Sequence, residues 1–261
     1  MKVKEYVKAK SLEEAYSLLK ANPLNRVVGG GLWLKKGNMD LNMLIDLSGL
    51  GLDKIEEKDG FIEIGALVTL REVEKSELLQ EAFHSLVSKA AGLVMGPAFR
   101  NIATIGGSVA GKLAFSDVIT ALLACNASLR FYPSGEKSLE EYLKEPGLSK
   151  EILTHIIVKQ CHRLSFYKRV GLTELDYPII SVAITHCVKH DKYTVAVGSR
   201  AGVAALAEDV MKALEAGERD FEKVAKEVLK MKFNDSLASK AEYRAHLAEV
   251  YVRRGLEEVS K

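Results

Sequence analysis

A chain of 261 residues, 48% of them apolar, buries enough surface for one large domain or two to three small ones without staples. Its formal charge of +2, from 37 basic and 35 acidic side chains spread along the length, gives no general attraction for nucleic acid or anionic lipid. Cys125, Cys161 and Cys187 are too few and too scattered for a disulfide framework, a zinc ribbon or an iron–sulfur cluster, and they suit a reducing cytoplasm. The opening MKVKEYVKAKSLEEAYSLLK lacks the apolar core of a signal peptide, and no run reaches the roughly 20 apolar residues that span a bilayer. A soluble, unprocessed cytoplasmic protein is expected.

In chain order, Ser11 and Glu14 form a capping-box pattern ahead of a short amphipathic helix carrying Leu12, Ala15, Tyr16 and Leu19. Asn22-Pro23 stops it, and Arg26-Val27-Val28 reads as a buried strand running into the glycine turn Gly29-Gly30-Gly31. Strands are expected at Leu44–Leu47 and Phe61–Leu67, then helix from Leu70, with Leu78, Ala82, Leu86, Ala90 and Leu93 along one side up to Gly96-Pro97. A second glycine turn, Ile105-Gly106-Gly107-Ser108, follows. Asp117 has the chemistry to cap the apolar helix Val118–Cys125, and Leu129–Tyr132 is a strand ended by Pro133-Ser134-Gly135.

From Ile152 the pattern turns to strands at Ile152–Val158, Leu164–Arg169, Ile179–Val188 and Tyr193–Val197, the spacing of an antiparallel meander. Helices near Ala204–Glu215, Phe221–Met231 and Lys240–Val259 close the chain. A boundary near residue 162 separates the α/β alternation from this second pattern.

The two glycine turns each let backbone N–H groups converge on an anion without a Cβ in the way, and together they suggest a phosphate cradle with two walls. Neither is a nucleotide fingerprint: GxGxxG opening a helix and GxxxxGK[ST] are both absent, and ordinary turn use of glycine explains either alone. His186, Cys187 and His190 cluster in sequence, but on a strand the histidines stand about 13 Å apart, too far to share a metal.

The stretch Arg100-Asn101-Ile102-Ala103-Thr104-Ile105-Gly106-Gly107-Ser108-Val109-Ala110, with Ser116-Asp117 beyond it, resembles the RN-x-x-TIGG-[NS]-x-A…D motif of one family. That family is the FAD-binding subunits of molybdenum hydroxylases of the xanthine and carbon monoxide dehydrogenase type. Val28-Gly29-Gly30-Gly31 is similar to its AGGT loop, Ile62-Glu63-Ile64-Gly65-Ala66 to its IGA strand, and Ser239 to Arg244 with Val252-Arg253-Arg254 to its C-terminal tail. The likeness spans essentially the whole chain.

The resemblance implies an α+β fold: a two-subdomain FAD-binding domain over 1–162, divided near residue 55, then a C-terminal domain of antiparallel strands and helices over 163–261. It implies FAD bound by Val28, Gly29, Gly30, Gly31, Leu32 and Trp33 and by Thr104, Ile105, Gly106, Gly107 and Ser108 around the pyrophosphate. Asp117 would accept from a ribose unless it is a plain helix cap, Lys168 would be the cation near the flavin, and Leu153 and Val94 would give it apolar contacts. Trp33, Phe115, Tyr167 and Tyr177 are the aromatics expected nearest the ring. No catalytic acid or base and no metal site is expected on this chain. The molybdenum cofactor and the 2Fe-2S clusters would belong to partner subunits, with an acceptor such as NAD.

Two departures stand out. Gly31-Leu32-Trp33 replaces a Thr and an Asp or Asn, removing side-chain donors, and Gly111-Lys112-Leu113-Ala114-Phe115 replaces a small-polar, Pro-containing run, where Lys112 is a candidate phosphate partner. Three other readings stay open: a self-contained FAD-dependent oxidoreductase, a scaffold that has lost FAD, and a nucleotide-binding regulatory module.

Overall fold

The computed structural model describes residues 2–36, 39–160 and 163–261. Three sheets follow one another along the chain. The first unit runs β1 (Val3–Lys8), α1 (Leu12–Ala21), β2 (Asn25–Val28), α2 (Leu32–Lys36) and β3 (Leu41–Asp46). Its strands are parallel in the order β1-β3-β2, so the last in sequence lies in the middle. Met43 and Ile45 of β3 share a core with Ala15 and Leu19 of α1, the helix face set by the 3–4 residue spacing. Ser11 Oγ accepts from the Glu14 N–H at 3.1 Å, but the Glu14 carboxylate takes the N–H of Lys10, so the capping box is displaced by one residue on its return bond.

The middle unit begins with β4 (Ile55–Lys58), β5 (Phe61–Gly65), α3 (Leu70–Lys75), α4 (Glu77–Glu81), a 3₁₀ turn over Ala82–Ser85, α5 (Leu86–Gly92) and α6 (Pro97–Arg100). It continues with α7 (Ile105–Ala110), α8 (Asp117–Ala124), β6 (Ser128–Tyr132), β7 (Gly135–Ser138), α9 (Leu139–Lys144) and β8 (Ile152–Lys159). All neighbours in its sheet, β4-β5-β8-β6-β7, are antiparallel. The Ile152 run therefore departs from the sequence reading: it is no part of a meander but the central strand of this sheet. Six of its first seven residues are buried, which is how a strand covered on both faces reads.

The last unit holds β9 (Leu164–Val170), β10 (Ile180–Cys187), β11 (Lys192–Gly198), β12 (Ala205–Leu206), α10 (Glu208–Glu215), α11 (Phe221–Lys226) and α12 (Ala241–Val259). The antiparallel order is β12-β11-β10-β9. β10 is buried along its whole length because both faces are covered, and its two faces differ in size. Ile180, Val182 and Ile184 meet α12, where Gly255 admits the Phe166 ring; a Cβ there would lie 2.5 Å from it. Ser181, Ala183 and Thr185 face α8, which comes close because these residues and Gly198 are small. Thr120 Oγ1 lies 3.1 Å from Ser181 Oγ, and Thr185 Oγ1 donates to the Ala124 carbonyl at 2.7 Å, so this seam is polar as well as tight. Among the described residues no helix is long and apolar enough to cross a membrane.

Candidate functional site

The two glycine segments meet, and each glycine is required for a local reason. A Cβ on Gly29 would lie 2.4 Å from Thr104 Oγ1, and one on Gly30 would lie 1.9 Å from the Ile102 carbonyl oxygen. Gly31 takes φ +70°, a left-handed conformation, and starts the one-and-a-half turns of α2. Among the described residues the N–H groups of Gly29, Gly30 and Gly31 have no internal acceptor. They border a cleft of about 490 Å³ lined by Val28, Gly30, Gly31, Leu32, Leu34, Lys35 and Leu44. That volume lies within the roughly 300–1,000 Å³ of small-molecule sites.

The second segment is not the turn its glycines suggest. Thr104 is the N-cap of α7, and Gly106 and Gly107 lie in the helix's first turn. The amides are spent: Ile105 donates to Val68 O, Gly106 to Ala66 O, Gly107 to Thr104 Oγ1 at 3.1 Å and Ser108 to Thr104 O. Gly106 is glycine because a Cβ would press on Ala66 at 2.5 Å. What this segment has left is the proton of the buried Thr104 hydroxyl, which faces Gly29, and the oxygen of Ser108, whose own proton goes to Thr104 O at 3.0 Å.

Asp117 is corrected in one respect. Ser116 is the N-cap of α8, accepting from the Ile119 N–H, and Asp117 is the first helical residue. It is only 3% exposed. Tyr167 Oη donates to its Oδ1 at 2.5 Å, and Arg169 Nε stands 3.4 Å from Oδ2. Burial pushes the carboxyl up to about 6, against the opposing pull of Tyr167 and Arg169. The Tyr167 hydroxyl is raised well above its ordinary range by burial and by the carboxylate beside it.

Lys168 borders neither cavity. Alternation along β9 places Phe166, Lys168 and Val170 toward α12, where Lys168 Nζ lies 5.7 Å from the Tyr251 ring centre. Tyr167 and Arg169 take the opposite face, so the cation at the cavity is Arg169, whose Nη1 also donates to the Glu174 carbonyl at 2.9 Å. The two-residue period of the strand was the signal for it. Leu153 is packed in the middle core and lines neither cavity. Lys112 is not turned to a phosphate: its ammonium donates to the Glu145 carbonyl at 2.9 Å and sits 4.0 Å from the Tyr142 ring centre.

Beside Asp117 lies a second, small cavity of about 40 Å³, bordered by Val94, Ser108, Asp117 and Arg169 and by four aromatic rings. Trp33, Phe99, Phe115 and Tyr177 form the cluster: Trp33 lies 5.4 Å from Phe115, 6.0 Å from Tyr177 and 6.1 Å from Phe99, and Phe115 lies 4.3 Å from Tyr177. The sequence reading named Trp33, Phe115, Tyr167 and Tyr177 as the aromatics nearest a flavin ring; the structure brings Trp33, Phe115 and Tyr177 together with Phe99, which carried no signal. Tyr167 lies behind the cluster on Asp117.

No group of three or more His, Cys, Asp or Glu side chains that could hold a metal ion occurs among the described residues. His186 is a packing residue, its Nδ1 2.8 Å from Val259 O and its ring stacked on Tyr193 at 3.9 Å. Cys125 and Cys187 are buried, while Cys161 and His162 lie outside the described residues.

Residues 1–159 match the family described as the FAD binding domain in molybdopterin dehydrogenase. The chain is 26% identical over 218 residues to the uncharacterized protein YgfM of Escherichia coli strain K12, which covers 80% of each chain. It is 27% identical over 192 residues to the glyceraldehyde dehydrogenase medium chain of Sulfolobus acidocaldarius, 69% of this chain and 68% of that one. In three dimensions it is similar to a chain of the carbon monoxide dehydrogenase of Hydrogenophaga pseudoflava, with TM-score 0.88 at 22% identity over 98% of this chain and 96% of that one. The last likeness shows the fold.

Proposed function

The chain belongs to the family of FAD-binding domains of molybdopterin dehydrogenases, and from that premise we propose that it is the FAD-carrying electron-transfer subunit of a multi-subunit molybdenum hydroxylase. The observation that carries the reading is the row of uncommitted amides at Gly29, Gly30 and Gly31 beside a cleft of ligand size. Amides that approach without a Cβ, next to the Thr104 hydroxyl, suit the two negative phosphates of a dinucleotide. They fit the family's cofactor.

In this reading residues 1–162 clasp the cofactor, in two parts divided near residue 55, and 163–261 close over its ring. FAD, when bound, accepts electrons and passes them on. The protein binds the phosphates through the first glycine loop, fixes the floor through the capped α7, and screens the ring end with the aromatic cluster and the Asp117–Tyr167–Arg169 group. Electrons would arrive from an iron–sulfur subunit that serves a molybdenum subunit, and leave to an acceptor such as NAD, in the cytoplasm. The chain alone would lack hydroxylase activity.

A second reading, a scaffold that has lost FAD, draws on the rings that fill the cleft beside Asp117. One experiment separates them. The purified chain is incubated with FAD, desalted and scanned in the visible, then assayed for purine or aldehyde oxidation with an artificial acceptor. Retained flavin bands without turnover support the subunit; no bands, in wild type and in Trp33→Ala alike, support the scaffold; turnover by the chain alone overturns both in favour of a self-contained flavin enzyme.

A further inference from the structure

We propose that Trp33, Phe115 and Tyr177 form an aromatic gate over the ring end of the cofactor cleft, and that this gate has to open before a flavin ring can enter. The proposal rests on the FAD reading above. Its starting point is an asymmetry: the cleft at Gly30 and Gly31 measures about 490 Å³, whereas the cavity beside Asp117 and Arg169 measures about 40 Å³. The phosphate end has room for a ligand and the ring end has room for a water.

The three rings close the ring end by packing on one another. A flavin held between two rings needs about 7 Å between their planes, twice the ~3.5 Å contact distance of carbon atoms. The centroids stand 4.3, 5.4 and 6.0 Å apart, so no pair of rings admits one.

The rings are also placed to move. They come from three separate segments: Trp33 from α2 of the first unit, Phe115 from the loop between α7 and α8, and Tyr177 from the hairpin loop between β9 and β10. None is a core residue; Trp33 and Phe115 are half-buried and Tyr177 is 43% exposed, unlike the fully buried Tyr142. α2 is five residues long, far below the length at which a helix is stable by itself, and it starts at the left-handed Gly31. The hairpin loop carries the exposed Leu172 and Leu175 and is held at its centre by the Arg169 bond to the Glu174 carbonyl. Swinging Trp33 outward about Gly31 would break its ring contacts with Phe99, Phe115 and Tyr177.

Trp33 is the only tryptophan of the chain, so it reports on itself. The full chain is prepared with 5-fluorotryptophan as wild type, and unlabelled as Trp33→Phe and Trp33→Ala; far-UV circular dichroism checks the fold. FAD association is followed by stopped flow over a range of concentrations, and the single fluorine resonance by NMR. With a gate, the wild-type association rate levels off at the opening rate, Trp33→Ala raises that plateau by about tenfold or more, Trp33→Phe stays near wild type, and the fluorine resonance moves on binding. Rates that rise linearly and equally in wild type and Trp33→Ala, with an unmoved resonance, overturn the gate while leaving the FAD reading intact. If neither wild type nor Trp33→Ala takes up FAD, the FAD reading fails and the gate with it. Uptake by Trp33→Ala alone supports a gate that stays shut in the isolated chain.

Discussion

The two glycine segments look alike in sequence and differ in what their backbones have left to give. Gly29 to Gly31 keep their amides free beside the larger cleft, while Ile105 to Ser108 have donated theirs to Val68, Ala66 and Thr104. The first loop borders a cleft, and the second is a capped helix start packed against it. A double glycine therefore marks a close approach of two chains before it marks a binding loop, and only the hydrogen-bond accounting tells the two apart.

The strongest way to break this contrast is Gly30→Ala. The new methyl would stand 1.9 Å from a backbone oxygen of the opposite segment, so the segments must separate. We expect a stability loss of about 3 kcal/mol in urea denaturation, at the upper end of overpacking effects, together with loss of FAD uptake. A variant that keeps full stability would show that the two segments do not clasp.

Asp117 asks whether the neighbouring helix start belongs with the open or the committed side. A carboxyl raised from 3.8 to about 6 by burial favours the neutral form in the folded protein. Stability is then highest below the ordinary value and falls as pH rises from about 4 to about 6. Relative to Asp117→Asn, which cannot ionise, wild type should lose up to about 3 kcal/mol across that window and change no further above it. A flat difference would mean that the carboxylate faces water, as an open ribose acceptor would.

The smallest effect is expected at Gly107→Ala. Its Cβ would meet only the Thr104 hydroxyl, at 3.0 Å, and alanine favours the helix by up to about 1 kcal/mol. Stability should stay within about 1 kcal/mol and FAD affinity within about threefold, read by flavin titration. A loss of binding of a hundredfold would restore the second segment as a donor wall.

Much of the fold was legible where one periodicity dominates. Ala15 and Leu19 announce the buried face of α1, and β10 and β11 stand out as apolar runs. β1 was silent because VKEYVK, mostly exposed on an edge strand, has no apolar alternation, and α2 because five residues carry no period. The meeting of the glycine segments followed from their shared chemistry. The spent amides of α7 did not, because their acceptors at Val68 and Ala66 lie some forty residues away and only tertiary structure pairs them. Lys168 lies toward α12 and Arg169 toward the small cavity, because in a strand one position is the other face.

The central place of β8 reaches into the birth of the molecule. β5 and β6 do not touch as sheet neighbours; each pairs with β8, which lies roughly ninety residues after the first and twenty after the second. Until residue 159 has been synthesised the middle sheet remains two hairpins with open inner edges, β4-β5 and β6-β7, and the residues between them have no surface to settle on. Folding of this unit is accordingly dominated by a late, long-range closure, the kind of step that is slow and leaves strand edges exposed to other chains. A ribosome-stalled chain ending before Ile152 should be protease-sensitive throughout the middle unit, and one long enough to free Lys159 should become resistant in a single step.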